Sequence, residues 1–313
     1  MSNDARPRRA LPVALAAAAL AATLLAACDD TERVEQEAEL ATYRTEIEAW
    51  QQEREERLQQ PDGWLTLVGL HWLSDGPQSL GSDPMSDVVL PAEAPGRVGM
   101  LTPVDDTVEL SLTPGIGATV GGEAAGRQLD LLPAEGEAPT VELGSLRFHA
   151  IQRGDWLGLR VRDVESPALA EFAGLDFFPV DPSWRLDARF EPYDPPKETL
   201  IDDVTGNRQP VMVEGAVVFE VDGKEHRLDA FDGGEEELFL IFADETSGKE
   251  TYGAGRYLYV PRPDEAAQLP LDFNRAYNPP CAYTPYATCP LPPKQNRLKL
   301  AVEAGETAYK GVH

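Results

Sequence analysis

Ser145-Leu-Arg-Phe-His-Ala-Ile-Gln-Arg-Gly-Asp-Trp-Leu-Gly-Leu-Arg-Val161 is the stretch whose reading decides the fold. Strand-forming residues run on either side of Gly154-Asp155, which reads as a tight turn joining two half-buried strands in a hairpin. Thr107-Val-Glu-Leu-Ser-Leu112 alternates apolar and polar residues cleanly. Further strands are expected at Trp64–Val68, Trp184–Phe190, Ala216–Val221, Arg227–Phe231, Leu238–Ala243, Tyr252–Val260 and Arg297–Val302. Proline and glycine fall between these short stretches, as turns joining strands require. Helix-length amphipathic patterns are nearly absent beyond residue 63. The class is all-β, with two β-sandwich-like units, 61–165 and 166–313. A break runs from Ser166-Pro167 to Asp181-Pro182, and Glu165–Leu175 holds the one short helix or turn of the body.

The chain before this body has a different texture. Arg6, Arg8 and Arg9 precede an alanine-rich apolar run from Leu11 to Ala27, the pattern of a secretory signal peptide over 1–27. Leu25-Ala26-Ala27-Cys28 resembles the lipobox of bacterial lipoproteins. That resemblance implies cleavage before Cys28, a diacylglyceryl group on its thiol and a palmitate-type chain on its amine. Two or three acyl chains give stable anchoring where one does not. A membrane-spanning helix is the alternative, but the run is weakly apolar and short for a span. Residues 28–60 are then a lipidated cysteine and a helical spacer, with the helix over about Thr31–Gln59. Asp29 and Asp30 suit its start as caps, and Pro61-Asp62-Gly63 its stop. Asp29-Asp30 also resembles the inner-membrane retention signal of enteric lipoproteins. The expected location is the cell envelope, facing the periplasm or exterior and tethered to a membrane by lipid.

The chain carries 27 Lys and Arg against 54 Asp and Glu, a net charge of −27. Such a field repels nucleic acid and anionic headgroups, and it matches a surface adapted to a salty medium. Apart from Cys28 the cysteines are Cys281 and Cys289. In an exporting pathway they are expected to form a disulfide, worth about 2.5 kcal/mol from loop closure. A metal pair and a reactive thiol are the alternatives, but no nearby histidine completes a zinc site.

Gly81-Ser-Asp-Pro-Met-Ser-Asp-Val-Val-Leu-Pro91 resembles the opening of a forkhead-associated β-sandwich. Ser82 stands where that family places its phosphate-binding arginine, and Arg97-Val98-Gly99 replaces its serine and histidine signature. The resemblance therefore implies a sandwich for the first unit and no phosphothreonine site. A second resemblance is carried by Phe242-Ala-Asp-Glu-Thr246, Thr251-Tyr-Gly-Ala-Gly-Arg-Tyr257, Leu271-Asp-Phe-Asn-Arg-Ala-Tyr-Asn-Pro-Pro-Cys281, Cys289-Pro-Leu-Pro-Pro293, Asn296-Arg297-Leu298 and Ala304-Gly305-Glu306. Together these are similar to the family called domain of unknown function 1684, over about Pro61 to Glu306. That family supplies a boundary and no activity.

Asp272–Pro293 is too proline-rich for a continuous strand or helix, and reads as an ordered loop on a sheet. One reading is architectural: Asp272, Asn274 and Asn278 hold turns, and Arg256 or Arg275 pairs with Asp244 or Asp272. The other is a site, in which Tyr252, Arg256, Asp272, Asn274, Tyr277 and Asn278 supply stacking faces, amides and a guanidinium fork. That set suits a sugar or a carboxylated metabolite. Asp244, Asp272 and Glu306 are the candidate catalytic carboxylates if glycans or glycosides are hydrolysed. No cofactor or metal is expected: Gly-x-Ser-x-Gly, His-Glu-x-x-His, the P-loop and a dinucleotide fingerprint are all missing. The expectation is a non-catalytic binding or envelope-interaction module contacting a polar small molecule, a glycan or an envelope protein, with a carboxylate-dependent hydrolase as the alternative.

Overall fold

The structure, a computed structural model, describes residues 13–132 and 138–311, with the backbone alone for 13–32. The chain divides into two compact units, Met1–Ala49 and Trp50–His313. Helix α1 (Val13–Leu58) runs through the first, and its end from Trp50 belongs to the second. It begins well before the expected Thr31, so Asp29 and Asp30 sit inside it rather than capping it. Alanine and leucine are strong helix formers, and their run carries the helix through both acids. The signal segment 1–27 lies partly outside the described residues, and so does the Cys28 side chain. No helix of the described residues is long and apolar enough to cross a membrane. Glu53 and Arg57 pair at 3.4 Å along the exposed face. The stop is steric as well as sequential: a Cβ on Gly63 would meet the Leu58 carbonyl oxygen at 2.2 Å, so only glycine lets the chain turn back here.

Trp64–Thr66 forms a 3-10 turn, and strands follow from Leu67. They are β1 (Leu67–Trp72), β2 (Gln78–Gly81), β3 (Val88–Val89), β4 (Gly99–Val104), β5 (Thr107–Leu112) and β6 (Thr119–Val120). After these come β7 (Glu123–Ala124), β8 (Gln128–Asp130), β9 (Val141–Leu143), β10 (Leu146–Arg153) and β11 (Trp156–Asp163). They make two sheets, in the orders β1-β11-β10-β9-β6-β7 and β3-β2-β4-β5-β8. Leu80, Leu101 and Leu110 from one sheet share a core with Phe148, Leu159 and Val161 from the other. The β10–β11 hairpin pairs Leu146 with Asp163 through to Arg153 with Trp156. Gly154 makes its turn at φ 57°, a conformation glycine adopts without strain. Because strand side chains alternate, Phe148 and Val161 face the core while His149 and Arg160 share the opposite face.

Ser166 caps the short helix α2 (Pro167–Ala170) where a helix or turn was expected. The remaining strands are β12 (Arg185–Asp202), β13 (Arg208–Val221), β14 (Lys224–Asp232), β15 (Glu237–Phe242), β16 (Arg256–Pro261) and β17 (Gln268–Asp272). One antiparallel sheet holds them all, in the order β16-β15-β14-β13-β12-β17. Its edge strands β16 and β17 approach each other, so the sheet nearly closes into a barrel around its own core. Phe219, Phe242 and Phe273 meet edge-to-face at the heart of that core.

Residues 273–300 form no strand: three 3-10 turns alternate with bridges, and Arg297–Val302, expected as a strand, contributes only a bridge from Arg297 to Ala243. The segment is pinned by hydrogen bonds. Asn296 donates to Asp229 O at 2.8 Å and Ile241 O at 2.9 Å, and accepts from the Asp229 amide at 2.7 Å. Tyr257 Oη donates to Pro290 O at 2.9 Å, and Tyr252 Oη to Cys281 O at 2.9 Å. The expected disulfide is not formed, and Cys281 and Cys289 are free thiols. Instead the Cys281 amide donates to Cys289 Sγ at 3.1 Å. Fixed proline φ angles and these hydrogen bonds hold the loop without a covalent pin.

Candidate functional site

A cleft of about 990 Å³ opens within the unit Trp50–His313. The end of α1 gives it Trp50, Arg54, Arg57 and Leu58, and the stop after it gives Gln60, Asp62, Gly63 and Trp64. Across from these stand Glu237 and Phe239 of β15, and Tyr257 and Tyr259 of β16. Arg275, Tyr277 and Pro280 come from the proline-rich segment. Alternation explains the β15 and β16 pairs: residues two apart on a strand point to one face. Trp50, Arg54 and Arg57 stand at i, i+4 and i+7, one face of the helix.

Arg54 is the anchor of this wall. Its Nη2 donates to Asn278 O at 2.9 Å and Tyr283 Oη at 3.2 Å, and its Nε to Glu306 at 3.3 Å. The guanidinium lies 4.4 Å from the centre of the Tyr277 ring. Burial works against its charge, but Tyr283, Glu306 and Tyr277 outweigh burial and the pKa moves up. Burial pushes the phenols of Tyr277, Tyr257 and Tyr259 up as well, so the cleft is lined by neutral aromatic hydroxyls at neutral pH. Tyr259 and Tyr277 stack with centroids 6.4 Å apart, and Phe239 stacks on Tyr259 at 4.8 Å. Arg57 and Arg275 reach the cleft with loose ion-pair partners among the described residues, Glu53 at 3.4 Å and Asp272 at 3.7 Å. Loose pairing leaves most of their donors for a ligand.

Of the six residues expected to bind ligand, Tyr277 lines the cleft and the others hold the frame. Arg256 is 1% exposed; it pairs with Asp244 at 2.6 Å and donates to Val302 O at 2.8 Å and to Ala304 O. It thus clamps β16 to the C-terminal segment. Asp272 caps a 3-10 turn by accepting from the Asn274 amide at 3.0 Å. Asn274 bonds both ways to the Asp181 backbone, at 2.8 and 3.0 Å. Asn278 donates to Glu306 at 2.8 Å and Thr307 O at 2.7 Å. Tyr252 is spent on Cys281 O.

The candidate carboxylates are engaged too. Asp244 is buried against Arg256 and also accepts from Thr246. Glu306, 0% exposed, accepts from Arg54, from the amide and side chain of Asn278, and from the Tyr283 hydroxyl. Such saturation is the signature of an architectural carboxylate. Asp62 and Glu237 are instead the acids on the cleft wall. Sequence reasoning passed over Arg54, Arg57, Trp64, Phe239 and Tyr259. The legible signal was the Trp50-Arg54-Arg57 spacing in a chain poor in cations. Ser82, at the position that resembled a phosphate-reading arginine, donates to Ala94 O at 2.7 Å. Among the described residues no cluster of histidine, cysteine and acids could hold a metal.

Residues 170–307 match the family described as "Protein of unknown function (DUF1684)". The match takes in the second β unit, rather than the whole span from Pro61. One similar solved structure is the solution NMR structure of an uncharacterized protein of Haloarcula marismortui. It is 33% identical, over 44% of this chain and 77% of that one, with a TM-score of 0.37. No curated protein matches.

Proposed function

We propose that this chain is a non-catalytic binding module of the cell envelope, tethered through lipid on Cys28. Its cleft takes an anionic small molecule that carries a ring, such as a uronic acid or another carboxylated metabolite. The observation behind this reading is the convergence of Arg54, Arg57 and Arg275 with aromatic walls, in a protein of net charge −27. In so acidic a chain, cations gathered around one concavity favour an anion there. The stacked rings favour a flat or sugar-like face. Isothermal titration of the full chain with D-glucuronate and with D-glucose tests it. Saturable binding of glucuronate, weakened about tenfold in Arg275→Gln by loss of a charge-assisted hydrogen bond, is expected. Equal binding of glucose, or no binding of either sugar, would sink the anionic reading.

One observation favours a second reading. Asp62 and Glu237 face the same cleft, and a pair of carboxylates flanking a bound glycan is the equipment of a glycoside hydrolase. Release of reducing ends from an envelope glycan, abolished in the Asp62→Asn/Glu237→Gln double variant, would establish that activity.

A further inference from the structure

The face of the β10–β11 hairpin turned away from the first core, which packs against Trp64 and Thr288, gathers basic residues. His149 and Arg160 are directly paired across the two strands. Arg162 lies two residues beyond Arg160 on the same face, and Arg153 sits near the turn. Among the described residues no carboxylate forms an ion pair with Arg153, Arg160 or Arg162, in a chain with twice as many acids as cations.

Arg160 is the anomaly of the group. It is 6% exposed, no hydrogen bond from its guanidinium is found among the described residues, and its Nε is buried without a partner. Its neighbours are accounted for: Arg162 donates to Gly63 O and to Thr66 Oγ1 at 3.3 Å, and Arg153 reaches Thr288 Oγ1 at 3.4 Å. The Trp64 ring lies 5.5 Å from the Arg160 guanidinium and offers it a π face, which accepts no in-plane hydrogen bond. Burial, then Arg153 and Arg162, depress the Arg160 pKa to about 10, so it still carries its proton at neutral pH. A buried Nε donor without an acceptor, on a protonated guanidinium, is costly to keep. A small anion would supply both the missing charge and the missing acceptors.

We propose that Arg160, flanked by Arg153, Arg162 and His149, binds a small oxyanion of the phosphate class between this face of the hairpin and the Trp64 side. The guanidinium fork matches the spacing of two oxyanion oxygens. Neutral His149 adds a nitrogen donor. None of the four basic residues lines the cleft, although the Trp64 ring that faces Arg160 does. The variants of Arg160 and Arg153 therefore probe this site without removing a cleft residue.

The test is titration of the full chain at constant ionic strength, with inorganic phosphate and with glycerol 3-phosphate, each followed by calorimetry and by melting temperature. One phosphate per chain is expected, with a melting temperature that rises with phosphate and not with chloride. Binding of inorganic phosphate assigns a free oxyanion; binding of glycerol 3-phosphate alone assigns a phosphoester, and either supports the site. Arg160→Gln should lose about tenfold or more in affinity, as expected for removal of a fork of charge-assisted hydrogen bonds. Should that variant not fold, Arg153→Gln, at the partly exposed margin, carries the same expectation. Absence of saturable binding by the wild type overturns the proposal. So does binding left undiminished by the Arg160 variant, or by Arg153→Gln where that variant stands in.

Discussion

Two buried arginines show how environment sets the role of one residue type. Arg256 has a carboxylate at 2.6 Å and two carbonyl acceptors on its Nη atoms, so its charge is balanced even though its Nε is buried without a partner. Asp244→Asn leaves that charge buried without its counterion, and should cost about 3–5 kcal/mol in urea unfolding. An Asp244→Asn/Arg256→Met double variant should recover much of the loss, since removing both charges also removes the desolvation cost. Arg160 has no such partner, and its effect reaches His149. Burial, followed by Arg160, Arg162 and Arg153, lowers the His149 pKa from 6.5 to about 4. In the unfolded chain this histidine takes up its proton near 6.5, so between pH 6.5 and 4 the unfolded state binds more protons. Stability should therefore fall as pH drops through that window and level off below it. Imidazole NMR in phosphate-free buffer checks the titration, and a His149 midpoint near 6.5 would refute the burial argument.

At the scale of elements, strands with clean alternation were legible. Thr107–Leu112 is β5 with the bounds read from its pattern, and the Gly154-Asp155 turn joins β10 to β11 as its residues required. The long β12–β13 hairpin was read only in part. Pro192 and Pro195-Pro196 break the strand pattern, and the pairing skips from Pro192 to Lys197 there. Arg297–Val302 carries strand residues yet finds no ladder, because Ala243 takes it as a single bridge. Local propensity cannot foresee which edges remain free. The cap of α2 does double service: Ser166 Oγ accepts from the Leu169 amide at 3.1 Å and donates to Leu65 O at 2.6 Å. Ser166→Ala removes both and should cost about 1–2 kcal/mol, read from the shift of the denaturation midpoint at unchanged slope.

For the whole molecule, the proposed tether and the acidic surface belong together. On that proposal, lipid would hold the chain at a membrane whose anionic headgroups its net charge of −27 repels, so residence there would need the acyl chains. Cys28→Ala should move the protein from the membrane to the soluble fraction. Unchanged sedimentation with membranes would reject lipid as the anchor.

The sequence by itself determined the all-β class and the family resemblance over the second half of the chain, because alternation, turn residues and a long shared motif are local properties of the chain. Tertiary structure alone decided which polar residues of the motif build the frame and which face the cleft. Asp244, Asn278 and Glu306 look like a site in one dimension, yet Asp244 is consumed by Arg256 twelve residues on, and Asn278 and Glu306 by partners that folding brings from farther along the chain. Arg54 and Tyr277 stand 223 residues apart and meet only because the helix end packs beside the proline-rich segment. A hydrogen-bond donor has no role until its acceptor is placed, and long-range packing places it.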